Sequence, residues 1–183
     1  MITAVALGAV LGLFIWSTYS VVVLDHTDIY AENGLLENIQ ATLLAIACIA
    51  FLVPTAFEKR SDKLILFLCS LLCLAFVLRE LDVETFDVHG AVKFIGSGAG
   101  RNTIIAAALI VLLSYAAFRV SYYKKRVAEF IRSRAGLLLM MGGVLIIIGD
   151  AFEKYDWIDY HAYIEEMFEL FGYTLILLAA FAL

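Results

Sequence analysis

An all-α fold, a polytopic membrane helix bundle of about six transmembrane helices, follows from three features of the sequence. Hydrophobic residues fill 63% of the 183 positions, mean hydropathy is +0.94, and the apolar residues gather in long runs between short charged connections. A soluble domain of this length is about 45–50% apolar. The excess is more than one core can hide, so lipid must cover it. The runs do not alternate as barrel strands would, and in hydrocarbon a helix satisfies its own backbone groups.

The runs are Ile2–Leu24, Leu35–Phe57, Leu64–Leu78, Thr103–Phe118, Gly136–Gly149 and Met167–Leu183. Pro54 is the only proline and no Gly/Ser- or Pro-rich linker divides the chain, so residues 1–183 read as a single integral membrane domain. The first basic residue is Lys59. The opening run therefore lacks the basic region of a cleavable signal and is expected to remain as the first span.

Orientation follows from lysine and arginine. The connection Glu58-Lys59-Arg60-Ser61-Asp62-Lys63 is basic, and so is Arg119–Arg134, with Lys124-Lys125-Arg126 at its middle. Six spans put both connections on one side, which places them and both termini in the cytoplasm. In a prokaryote the chain would lie in the inner membrane. The segment Val120–Arg134, with Tyr122 and Tyr123, reads as an interfacial stretch against anionic lipid. Trp16, Trp157 and Tyr155, Tyr160 and Tyr163 fit an aromatic belt.

The opposite side is acidic. The stretches Asp25–Glu37, Arg79–Arg101 and Asp150–Glu169 hold fifteen acidic residues, four basic ones and all three histidines, His26, His89 and His161. Such a face attracts cations and repels anions, which argues against nucleic acid as a partner. Membrane lipids are expected partners, with a second copy or another membrane protein as the protein contact.

Three apolar runs are too short to cross. Leu64–Leu78 has fifteen residues, Gly136–Gly149 has fourteen, and fourteen follow Glu169. At 1.5 Å per residue these cover roughly 21–23 Å of a hydrocarbon core about 30 Å thick. The shortfall would be filled by the charged residues that come next, all on the acidic side. Glu80 and Glu84 are four apart, Asp150 and Glu153 three apart, and His161, Glu165 and Glu169 recur every four. Glu166 is three before Glu169, and the second run opens with Asn33, Glu37 and Gln40 on one face. Residues three or four apart share a helix face, so several helices are expected to aim carboxylates into the bundle.

Ionisable groups at membrane depth mark functional sites. So many carboxylates cannot all be charged and buried without partners. They must be protonated, paired with Arg79 or Lys154, or hold a metal. The candidate metal ligands are Glu37, Glu80, Asp150, Glu153, His161, Glu165 and Glu169, with Arg79 as their counter-charge. A divalent metal ion is the expected cofactor. Carboxylates suit Ca²⁺, Mg²⁺ or Mn²⁺, whereas Zn²⁺ or iron would also want histidine. The H-E-x-x-H and paired E-x-x-H signatures are missing. The plainer account of these acids is a solvated interface, with Glu165 and Glu166 placed favourably at a helix N-terminus.

Gly96-Ser97-Gly98-Ala99-Gly100-Arg101-Asn102-Thr103 opens the fourth run. Gly98 and Arg101 there could cradle an anion such as a lipid phosphate. The plainer account is a loop with Asn102 or Thr103 as N-cap. It does not match a P-loop. Cys48, Cys69 and Cys73 sit inside apolar runs and read as small hydrophobes.

The cytoplasmic halves of the runs carry almost no ionisable groups and offer Thr42, Cys69, Ser70, Cys73, Ser114 and Tyr115. A conduction path leaves polar residues across the whole bilayer. The sequence thus favours a one-sided acidic cavity open to the extracytoplasmic face, binding a cation or metal, with Glu80, Asp150 and Glu169 as ligands or acid–base groups if it is an enzyme. The alternatives are a small ion-coupled transporter and an accessory membrane subunit without chemistry.

Overall fold

A computed structural model describes residues 2–31, 33–57, 62–81, 83, 87, 89–154, 157 and 159–183, without the side chains of residues 2–4 and 153. The described residues form eight α-helices and no strand. These are α1 (Ile2–Val22), α2 (Leu35–Phe57), α3 (Lys63–Glu80), α4 (Gly90–Gly96), α5 (Gly98–Ala117), α6 (Val120–Arg132), α7 (Arg134–Glu153) and α8 (His161–Phe181), with a 3-10 turn at Thr27–Ile29. The six apolar runs fall in α1, α2, α3, α5, α7 and α8. Of these, α1, α2, α5 and α7 are long and apolar enough to cross a bilayer. α3 contains Lys63, Arg79 and Glu80, and α8 contains Glu165, Glu166 and Glu169, so their composition alone does not mark them as spans.

Helix boundaries differ from the apolar runs for one physical reason: a backbone ladder continues through charged residues that lie on a tolerable face. α3 therefore runs on through Arg79 and Glu80, α7 through Asp150, and α8 begins six residues before Met167. α5 starts at Gly98 with Ser97 as N-cap, in place of the expected Asn102 or Thr103. There Gly98 takes a left-handed φ of +49°, the region glycine enters without steric cost. Gly100 is packed so closely on the Phe94 carbonyl that a Cβ would collide with backbone. These two glycines thus serve the sharp α4–α5 turn.

Four contacts establish how the helices stand. Tyr163 on α8 meets Ser17 Oγ and Thr18 Oγ1 on α1 at 2.9 and 2.8 Å. Gln40 on α2 donates to the Glu166 carbonyl at 2.9 Å. Arg79 on α3 is ion-paired with Glu169, and Arg101 on α5 donates to the Leu78 carbonyl of α3 at 2.8 Å. The C-terminal ends of α1 and α3 and the N-terminal ends of α2, α5 and α8 therefore share one end of the bundle. Asp150 brings the C-terminal end of α7 to the same place, through Arg79.

α8 is the central helix and packs on α7, α2 and α1. Its contact with α7 is close because it is built on glycine. A Cβ on Gly142 would lie 2.7 Å from the Gly172 carbonyl, and one on Gly172 would lie 2.9 Å from the Gly142 carbonyl. Small residues at such crossings let backbones approach, which is how helices gain packing energy in lipid. α2 and α3 form the second tight pair, where Ser70 Oγ donates to the Cys48 carbonyl at 3.0 Å. Leu44, Phe51, Leu66, Cys69, Cys73 and Tyr173 are buried together between these helices.

Burial does not follow the apolarity of the helices. α8, with three glutamates, has twelve buried residues from Tyr163 to Ala180, whereas apolar α5 buries only Gly100. A helix long and apolar enough to cross a bilayer can leave apolar surface facing outward at little cost where that surface meets lipid, and α5 is such a helix. α6 buries nothing and sets Lys125, Glu129 and Arg132 against Tyr123, Val127 and Phe130. That is the pattern of a helix lying in a membrane interface.

Candidate cation site

Glu169 is the residue around which the site is built. It is 1% exposed and lies one turn before Tyr173, which is wholly buried. The one-turn spacing aims both side chains from α8 toward the end of α3. Gly149 on α7 opens the space on the other side. A Cβ there would sit 3.3 Å from Glu169 Cγ and 3.2 Å from the Glu165 carbonyl. The glycine lets α7 approach α8, so that the next residue, Asp150, reaches the glutamates. Oxygens of Asp150, Glu165 and Glu169 all lie within 4.8 Å of one another.

Arg79 crosses from α3 into this cluster. Its Nη2 pairs with Glu169 Oε1, its Nη1 lies 3.4 Å from Asp150 Oδ1 and its Nε lies 3.4 Å from Glu80 Oε1. Glu80 is 7% exposed and accepts the Tyr173 phenol at 2.8 Å. A buried carboxylate is tolerated only when it is paired and hydrogen-bonded, and Arg79 and Tyr173 supply both conditions. Phe76 tilts against Tyr173, with ring centroids 5.8 Å apart, and closes the apolar floor.

A second arm reaches α2. Gln40 is wholly buried and donates from Nε2 to the Glu166 carboxylate at 2.8 Å. Its Oε1 has no hydrogen-bond partner among the described residues, although a shielded amide oxygen ordinarily has one. Five carboxylates, Glu80, Asp150, Glu165, Glu166 and Glu169, thus gather at one end of the bundle. Arg79 is in ion-pair contact with three of them, Glu80, Asp150 and Glu169.

Of the residues singled out from the sequence, Asp150, Glu165 and Glu169 come together, and Arg79 ties Glu80 to them. Glu37 lies in the first turn of α2, where its carboxylate accepts the Asn33 backbone N–H. It is outside the three-carboxylate group, but its charge acts on both Glu80 and Glu166. His161, at the first position of α8, is also outside that group. Glu153 closes α7, but its side chain, like the whole of Glu84, lies outside the described residues. Gly98 and Arg101 sit at the α4–α5 turn and the head of α5, apart from the acidic group.

Sequence reasoning missed Tyr173 and underweighted Gln40 and Glu166. The i, i+4 spacing of Glu169 and Tyr173 was available as a signal. Nothing in the spacing could pair Gln40 with Glu166, which are 126 residues apart.

Below the cluster the interior turns apolar. A cavity of about 240 Å³ lies between α3, α7 and α8, walled by Cys69, Cys73, Phe76, Gly143, Ile146 and Ile176. The three cysteines are free thiols. Comparison with protein-family models, with curated protein sequences and with solved structures finds no match to this chain.

Proposed function

We propose that this chain spans the membrane six times and holds a divalent cation at Asp150, Glu165 and Glu169, in a cavity open to the extracytoplasmic face. The observation that carries the reading is the convergence of these carboxylate oxygens within 4.8 Å, one of them on a side chain that is almost fully buried. Two oxygens bound to one hard cation at about 2.1–2.5 Å lie at most some 4–5 Å apart, so small rotations suffice to close the ligand set. Carboxylate charge held at this depth is expensive, and a bound cation offsets it. Oxygen-only ligands favour Mg²⁺, Ca²⁺ or Mn²⁺.

Six spans are supported by the alternation of the long helices, which brings Glu37, Arg79, Arg101, Asp150 and Glu165 to one pole. The basic α6 connection then falls on the cytoplasmic side with both termini. The apolar cavity beneath the cluster supports a one-sided site over a conduction path, because its walls offer an ion no charged group and little beyond the thiols of Cys69 and Cys73.

Elemental analysis of protein purified in detergent with chelated buffers, then reloaded, tests this. About one divalent ion per chain is expected for the native protein and none for Asp150→Asn/Glu169→Gln. A native protein without bound metal at millimolar Mg²⁺, Ca²⁺ or Mn²⁺ would overturn it.

A further inference from the structure

Among the described residues α5 makes its main contact with the long helices at α3, and a cavity of about 360 Å³ lies between the two. The cavity is chemically graded. Arg101 and Asn102 stand at its acidic-pole end, and Phe76, Ile105, Ala106 and Leu109 line the remainder. From Arg101 to Leu109 the groove runs about 12 Å along the helix, the length of a substantial part of an acyl chain.

Charge decides what fits the polar end. Arg79 also borders the groove, but its guanidinium is engaged by Glu80, Asp150 and Glu169. Arg101 is different. Its Nη1 donates to the Leu78 carbonyl at 2.8 Å and its Nε to Asn102 Oδ1 at 3.4 Å, both uncharged acceptors. The first of these caps a carbonyl in the last turn of α3, where a cation is favourable. A guanidinium has five donors, so these two bonds leave Arg101, which lines the groove, with its positive charge and further donors.

We propose that the α3–α5 groove binds an anionic phospholipid of the surrounding bilayer, with its phosphate at Arg101 and one acyl chain along Phe76, Ile105, Ala106 and Leu109. The proposal goes beyond the cation reading and needs only that α3 and α5 lie in the bilayer. Arg79 stands between the phosphate and the carboxylates and screens one from the other.

Native mass spectrometry of the protein released from nanodiscs of equal phosphatidylglycerol and phosphatidylcholine tests it. The native chain should retain phosphatidylglycerol preferentially. Arg101→Gln should lower that retention about fivefold, the loss expected for one basic residue near an anionic headgroup, and Arg101→Lys should keep most of it. Ala106→Phe fills the groove without touching charge and should lower retention to a similar degree. Where Arg101→Gln fails to fold for want of its α3 cap, Ala106→Phe decides alone. Equal retention of the two lipids by the native chain would overturn the proposal, as would a preference that survives Ala106→Phe. So would a preference that disappears with Lys124→Gln/Lys125→Gln, which would place the lipid at α6. Glu165→Gln, at a proposed cation ligand outside the groove lining, should leave lipid retention unchanged, so failure of the cation site and failure of the lipid site can be told apart.

Discussion

Tyr173 donates its phenolic proton to Glu80 across the α8–α3 contact at 2.8 Å, and both side chains are shut away from solvent. The bond fixes a carboxylate that would otherwise be buried with only Arg79 beside it. Tyr173→Phe should lower stability by about 1–3 kcal/mol, the cost of leaving a buried acceptor unsatisfied. Thermal unfolding in detergent, monitored by helical circular dichroism, reads it directly. Glu80→Gln keeps an acceptor for the phenol and removes a charge, so it should cost less than Tyr173→Phe.

Arg79 is the hinge of the electrostatics. Arg79→Met leaves Glu80 and Glu169 buried without their counter-charge, which costs about 3–5 kcal/mol when a buried ion pair is broken from one side. Arg79 keeps about a third of its side chain exposed, so the lower end of that range is expected. Adding Glu169→Gln should recover part of the loss. A double-mutant cycle on unfolding free energies checks the coupling; strictly additive effects would mean that Arg79 and Glu169 do not act as a pair.

Much of this architecture is legible in the sequence. Six apolar runs mark the six long helices, and the early arrival of Arg79, Glu80, Asp150 and Glu169 marks which helix ends carry the acids. Three things are not legible. The ranking of burial is one: α8 carries three glutamates and still proves to be the centre, whereas apolar α5 lies at the edge. The partners of each acid are another, since Arg79 meets Glu169 across 90 residues and only the helix crossing brings them together. The crossing itself depends on Gly142, Gly149 and Gly172, which a composition-based reading treats as apolar filler.

Those glycines give a sharp contrast. Gly142→Val should overpack the α7–α8 crossing, where its Cβ would lie 2.7 Å from the Gly172 carbonyl, at a cost of about 1–3 kcal/mol. Its neighbour Gly143 has open space at the Cβ position. Gly143→Ala should therefore be neutral or slightly stabilising, because alanine is favoured over glycine within a helix by about 1 kcal/mol. Unfolding midpoints of the two variants side by side provide the check.

Metal binding should depend on pH with a definite sign. A cation needs its carboxylate ligands deprotonated, so protons compete for the same oxygens. Affinity for Mn²⁺ should fall as pH is lowered from 8 toward 5, and protons should be released on binding in weakly buffered solution. Glu165→Gln should weaken affinity less than Glu169→Gln, because Glu165 is only partly buried and water can replace its oxygen.

Titration of Mn²⁺ into the purified, chelator-stripped protein, followed by electron paramagnetic resonance of the free ion, addresses the cation site most directly. Loss of free signal equivalent to about one ion per chain is expected for the native protein, and none for Asp150→Asn/Glu169→Gln. A free-ion signal that is the same with and without native protein would contradict the site.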